Sequence, residues 1–163
     1  MAPHRLPRFG PRGEGWVGIQ TAIGIAVLVS GGFSGPAWFG MARTAGDVVG
    51  VALMAIGAGL FAWGARTLGR GFSIWLPPVP AGRFVDSGPY RSLRHPICTG
   101  QGIFLMGWAL LGASPLALVL DVIYLAYLDA FKLPSEETTL LARYSDYAEY
   151  MRRVPYRLIP HLR

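Results

Sequence analysis

With 163 residues, 52% of them hydrophobic, 15% charged and a mean hydropathy of +0.38, the chain holds more apolar surface than a soluble core of this size requires, and it reads as one membrane domain, 1–163. A formal charge of +6 does not mark it for nucleic acid, because the fifteen Lys and Arg flank the apolar runs instead of sharing one polar face. A lone cysteine, Cys98, excludes an intrachain disulfide and any Cys/His cluster of metal-ligand spacing, so no metal is expected.

Residues 1–15 contain three Pro, three Gly and three Arg, too little apolar material to pack, and are expected to form a mobile arm on the cytoplasmic surface. Trp16 to about Phe33 is an uncharged apolar run of roughly spanning length, about 27 Å at 1.5 Å per residue, without a small-x-small cleavage site. It is read as a first membrane helix and not as a cleaved signal. Gly18, Ala22, Ala26 and Ser30 recur every fourth residue and are expected to let another helix approach. Gly35-Pro36 breaks the chain, and a second span runs from about Asp47 to Ala65, with Ala55 and Gly59 as its small-residue stripe. A loop over 66–95 carries several arginines, Pro77, Pro78 and Pro80, and an aromatic-apolar patch of Phe72, Ile74 and Trp75 suited to headgroup depth.

A third span is expected from Pro96 to about Gly112, a tight turn at Ser114-Pro115, and a fourth span to about Phe131, giving an antiparallel hairpin. Only Arg43 falls in a loop between spans one and two or three and four, so the N-terminus, the long loop and the C-terminus are assigned to the cytoplasm. The fold class is therefore an all-α bundle of four transmembrane helices with a C-terminal amphipathic helix, placed in a bacterial inner membrane. That last helix is expected to start at Ser135, a capping residue before Glu136-Glu137, with Leu140, Leu141, Tyr144, Tyr147, Ala148 and Met151 on one face.

The residues able to do chemistry gather at the cytoplasmic helix ends. Arg91, Arg94 and His95 precede span three, and Lys132, Glu136 and Glu137 follow span four, so an antiparallel hairpin brings the two groups together. Gly100-Gln101-Gly102 would let a ligand approach the helix backbone. Asp121 and Asp129 lie inside span four, where a carboxylate is a functional candidate unless neighbours such as Tyr124 or Tyr127 satisfy it. Each residue also has a plainer role: the arginines as lipid-phosphate anchors, the glutamates as helix-dipole complements, Cys98 as packing, and Arg153 as a partner for Glu149 one turn earlier.

The run Gly88-Pro89-Tyr90 through Arg94-His95-Pro96 and Gly100, followed after the hairpin by Glu136-Glu137, Tyr147, Tyr150 and Arg153-Val154-Pro155, resembles the isoprenylcysteine carboxyl methyltransferase family and its bacterial relatives. Phospholipid N-methyltransferases share these elements. The resemblance covers residues 85–160, with Cys98 where relatives usually have Tyr, Lys132 where they often have Arg, and Ser145 where a Gly is usual. It implies transfer of the S-adenosylmethionine methyl group to a lipophilic or lipid acceptor that enters from the bilayer. By position, Tyr90, Arg94, His95, Pro96, Gly100 and Gly102 would belong to the cofactor site, closed by Glu136 and Glu137, while Lys132 and Arg153 would steer an acceptor carboxylate.

In an unbroken helix Glu137 and Arg153 would stand about 24 Å apart, so Arg153 reaches the site only if that helix breaks or the tail folds back. A carboxylate acceptor needs no base, whereas a phospholipid amine must lose a proton, for which Asp129 or His95 is the candidate. A non-enzymatic membrane protein is the third reading. Membrane sterol reductases use a related fold with a nicotinamide cofactor, but this chain is short for that role and has no nucleotide fingerprint.

Overall fold

The structure is a computed structural model that describes residues 14–33, 42–71 and 85–159. Among these all the regular structure is helical, with no strand. The elements are α1 (Glu14–Gly32), α2 (Ala42–Leu68), α3 (Pro96–Leu111), α4 (Pro115–Tyr127), α5 (Leu133–Arg143) and α6 (Tyr147–Arg153). The expected arm, the Gly35-Pro36 break, and the patch of Phe72, Ile74 and Trp75 with its prolines lie outside the described residues.

Helices α1 and α2 are long and apolar enough to cross a membrane. Their outer faces present Ile25, Val29, Val48, Val51, Ile56 and Trp63 to the surroundings, an apolar belt that a water-soluble monomer would bury. The remaining helices are shorter. Central α3 packs along α2 on one side and against α1 and α4 on the other, and α1 lies along α4. The α3–α4 turn is as tight as expected: Ala113 takes a positive φ of 47°, and the Ser114 hydroxyl accepts a hydrogen bond from the Ala117 amide at 3.2 Å.

The contact between α2 and α3 runs on glycines spaced by seven, Gly50, Gly57 and Gly64 against Gly100 and Gly107. Seven residues are close to two turns, so each set forms one stripe. A Cβ placed on Gly57 would lie 2.5 Å from the Phe104 nitrogen and 2.6 Å from the Gly100 carbonyl oxygen, and one on Gly107 would lie 2.5 Å from the Gly50 carbonyl oxygen. The two backbones touch there, an apposition that only glycine permits. The fourfold stripes expected from sequence are not the packed ones. Gly18, Ala22, Ala55 and Gly59 are exposed, and α1 instead buries Val17, Val27 and Gly31. Small size at every fourth position did not identify the buried face, because small residues lie on both faces of these helices.

The C-terminal region departs most from expectation. There is no new helix start at Ser135: α4 passes through a π-helical turn, Leu128–Lys132, directly into α5, and Ser135 is buried within it. Pro134 explains the turn. It has no N–H to offer the carbonyl four residues earlier, and the wider turn, in which the Leu133 amide reaches back to the Leu128 carbonyl, carries the helix past it. The single amphipathic helix is in fact two, because Tyr144 adopts extended angles (φ −119°, ψ 115°) that end α5 before α6 begins at Tyr147.

Substituting Gly57 by Ala is expected to destabilise the detergent-solubilised protein by roughly 1–3 kcal/mol through overpacking. Gly59→Ala, which enters open space, should cost nothing. Thermal unfolding of the two variants side by side checks the difference.

Candidate functional site

Because α6 stops at Val154, which precedes Pro155 and so is disfavoured from helical angles, the chain turns back across the start of α3. The Arg94 amide donates to the Tyr156 carbonyl at 3.0 Å, the His95 amide to the Arg157 carbonyl at 3.1 Å, and the Thr99 hydroxyl to the Leu158 carbonyl at 2.7 Å. On the other side, the 3-10 turn Gly88–Arg91 sits against α2. Gly88 there has a φ of 58° and lies against Thr67, a place where conformation and space both demand glycine.

At the centre is Glu137, its side chain only 5% exposed. Its Oε1 accepts from Arg94 Nε at 2.8 Å, lies 3.2 Å from His95 Nε2 and accepts from Arg157 Nε at 3.3 Å, while Oε2 accepts from Arg157 Nη2 at 3.1 Å. Burial opposes its ionisation. The His95 hydrogen bond and the charges of His95, Arg94 and Arg157 more than compensate, holding the carboxyl down at about 2. Arg94 Nη1 also donates to the Val154 and Pro155 carbonyls, both at 3.0 Å, and Arg157 Nη1 reaches Asp129 Oδ1 at 2.9 Å. Glu137 thereby joins α3, α5, the π turn and the returning tail.

Glu136 faces a different set of neighbours. Its Oε2 lies 2.9 Å from Lys132 Nζ, one turn earlier, and Lys132 Nζ is 3.8 Å from Cys98 Sγ. Lys132 is the one close partner of this buried carboxylate oxygen among the described residues, which leaves it acceptor capacity to spare. Burial would raise the Glu136 pKa, but the Lys132 and His95 charges lower it overall. Tyr90 is buried close by and its hydroxyl pKa is raised, first by burial and then by Cys98, Glu136 and Tyr150; its carbonyl accepts from the Tyr150 hydroxyl at 2.8 Å.

The structure thus brings Tyr90, Arg94, His95, Lys132, Glu136 and Glu137 together where the tail, α3 and α5 meet. Pro96 is buried as the first residue of α3. Gly100 faces the α2 backbone and Gly102 faces Leu125 of α4, so both glycines are filled by neighbouring helices. The helix does break and the tail does fold back, but the residue that reaches Glu137 is Arg157. Arg153 pairs with Asp86 at 2.6 Å on the exposed side, and not with Glu149. The sequence reading missed Arg157, since three arginines follow Tyr150 within seven residues and nothing in their spacing says which one returns. Asp129 serves as its second anchor. Asp121 is 1% exposed, and neither oxygen has a hydrogen-bond partner among the described residues, so Tyr124 and Tyr127 do not cap it.

Arg94 retains capacity as well: its other terminal nitrogen, Nη2, takes no partner among the described residues, and Arg94, Arg152 and Arg157 line a basic cleft of 430 Å³ with Met151 and Pro155. Among the described residues no three His, Cys, Asp or Glu side chains converge as a metal site would require.

A carboxyl with a folded pKa of about 2, against 4.5 in the open chain, stabilises the fold fully above pH 4.5 and loses that contribution as the pH falls toward 2. The contribution is on the order of 3 kcal/mol. Glu137→Gln should flatten this acid limb and lower stability at neutral pH, because Arg94 is left buried without its counter-charge. A series of thermal unfolding curves from pH 7 to pH 2.5 measures both effects.

The family model described as phospholipid methyltransferase matches residues 46–147. The chain is also similar to the Delta(14)-sterol reductase TM7SF2 of Mus musculus, 32% identical over 89 residues, which is 53% of this chain and 21% of that protein. The chain therefore spans about a fifth of the length of that curated relative. No solved structure matches.

Proposed function

The chain belongs to the phospholipid methyltransferase family, and on that premise we propose that it transfers the methyl group of S-adenosylmethionine to a lipid acceptor at the cytoplasmic face of a bacterial inner membrane. In this reading α3 and the α4–π rod span alongside α1 and α2, with both termini cytoplasmic. The site at the junction of tail, α3 and α5 then lies at the membrane–water boundary.

The observation that carries the proposal is the bonding capacity left at two neighbouring groups, the buried Glu136 Oε2 and Arg94 Nη2, whose residue lines the basic cleft. They fit the cofactor's chemistry. A carboxylate oxygen suits its amino group or ribose hydroxyls, and a guanidinium edge suits its carboxylate. Tyr90, Arg94, His95 and Glu136 would hold it, with Pro96 in the wall. When bound, S-adenosylmethionine supplies an electrophilic methyl group on a sulfonium. Glu137 works through others, fixing the orientation of Arg94 and His95, and Gly100 and Gly102 set the position of α3 by letting α2 and α4 approach. Lys132 holds Glu136 in place.

The acceptor read most directly from these residues is a phospholipid amine. Lys132 is neutralised by Glu136 at 2.9 Å and leaves little net charge to recognise the carboxylate of an isoprenylcysteine-type substrate. An attacking amine has to lose its proton first, and of the two candidate bases His95 is buried at this junction whereas Asp129 is paired with Arg157. Arg153, exposed and paired to Asp86, then steers the surface loop and not the reacting head group.

Calorimetric titration of the purified protein with S-adenosylhomocysteine should show saturable binding, weakened roughly tenfold or more in Glu136→Gln and in Arg94→Lys, which lacks the fork. Absence of binding to the folded wild type would remove the methyltransferase reading. Methyl label that base releases as volatile methanol identifies an ester, whereas label that stays on a non-volatile head group identifies an amine acceptor.

A further inference from the structure

An apolar cleft of 460 Å³ lies between α1 and α2, with α3 as its floor and Tyr124 of α4 closing one end. Its volume is within the roughly 300–1,000 Å³ of small-molecule sites. Ile25 and Leu28 on its rim are exposed, so it opens sideways onto what would be the hydrocarbon of the bilayer. The α1 side of the cleft, including Gln20, Gly24 and Leu28, lies outside the residues matched by the family model, 46–147.

Three polar side chains meet in the wall of this apolar space. Gln20 Nε2 donates to Gln101 Oε1 at 3.2 Å and to the Tyr124 hydroxyl at 3.1 Å, and the Tyr124 hydroxyl donates to Gln101 Oε1 at 3.2 Å. These bonds use both Gln20 N–H groups and the tyrosine proton. Both Gln101 N–H donors and the Gln20 carbonyl oxygen are left without partners among the described residues, in surroundings where an unmet polar group is costly. A plain hydrocarbon chain cannot satisfy them. The cluster also borders the site already described: Gln101 is one helical turn from Cys98, and Tyr124 is within electrostatic reach of Cys98 and Lys132.

We infer that this cleft seats the single chain of a monoacyl lipid, whose ester carbonyl accepts from the Gln101 amide and whose neighbouring hydroxyl donates to the Gln20 carbonyl. The inference rests on the proposed function for the further step that this lipid is the methyl acceptor, its head group extending toward Lys132 and Glu136. Binding in the cleft stands independently of that step.

The full chain in detergent micelles is photolabelled with lysophosphatidylethanolamine carrying a diazirine in its acyl chain, and the labelled peptides are mapped by mass spectrometry. Label is expected on α1 and α2, and unlabelled lysophosphatidylethanolamine should compete roughly tenfold better than an ether-linked analogue without carbonyl or hydroxyl. Gln101→Leu should erase the difference between the competitors, and Ala58→Phe, at an exposed position on the cleft wall, should cut labelling by either. Folding of each variant is read by thermal unfolding. S-adenosylhomocysteine binding should persist in both variants, so loss of cofactor binding and loss of lipid binding are read separately. Label confined to other helices, or equal competition by the two lipids in the wild type, overturns the inference.

Discussion

A carboxylate removed from water has to be matched by positive charge and hydrogen bonds, and Glu137 is matched by side chains drawn from two separate stretches of the chain: Arg94 and His95 at the mouth of α3, and Arg157 in the tail. Without that carboxylate three cationic or polarisable groups would repel one another at the same spot, and the tail would have no reason to cross α3. The backbone bonds of Arg94 and His95 to Tyr156 and Arg157 extend the same attachment. A pair of adjacent glutamates divides the work, Glu137 bound on all sides and Glu136 left with an acceptor to spare. The division follows from the roughly 100° between successive helix positions, which turns one carboxylate toward α3 and the tail and the other toward Lys132 and Cys98.

The helices were legible because apolar runs of spanning length have few alternatives. The tight α3–α4 turn was legible from Gly112, Ser114 and Pro115, and the clustering of Arg94, His95, Lys132, Glu136 and Glu137 followed from an antiparallel hairpin. Register was not legible. The α2 and α3 glycines repeat every seven residues, yet a fourfold stripe of small residues is equally visible in the same sequence and faces outward. Pro134 was a true signal misassigned: beside Ser135 it looks like a helix start, whereas a π turn lets the existing helix absorb it. The break at Tyr144 carries no proline or glycine, and the identity of the returning arginine depends on a tertiary contact that no local pattern encodes.

The glycine contacts and the polar junction are parts of one arrangement. Backbone contact along Gly50, Gly57, Gly100 and Gly107 fixes the depth of α3 against α2, and α3 in turn presents Arg94 and His95 at its entrance and Cys98 and Gln101 one and two turns inside. Polar groups therefore descend in steps from the basic surface cleft, through Glu136 and Lys132, to the amide cluster between the apolar helices. Such a gradient suits the proposed reaction, in which a charged, water-soluble methyl donor and a membrane-bound acceptor approach from media of opposite polarity.

Incorporation of methyl label from S-adenosylmethionine into lipid by the purified chain in proteoliposomes containing both phosphatidylethanolamine and lysophosphatidylethanolamine measures the proposed activity itself. Label appearing in the lipid fraction with wild type, not released by base as volatile methanol, and falling to background with Glu136→Gln under conditions where the protein stays folded, is the expected result. A folded wild-type protein that binds S-adenosylhomocysteine yet leaves no label in lipid would contradict the assignment of a membrane amine as the acceptor.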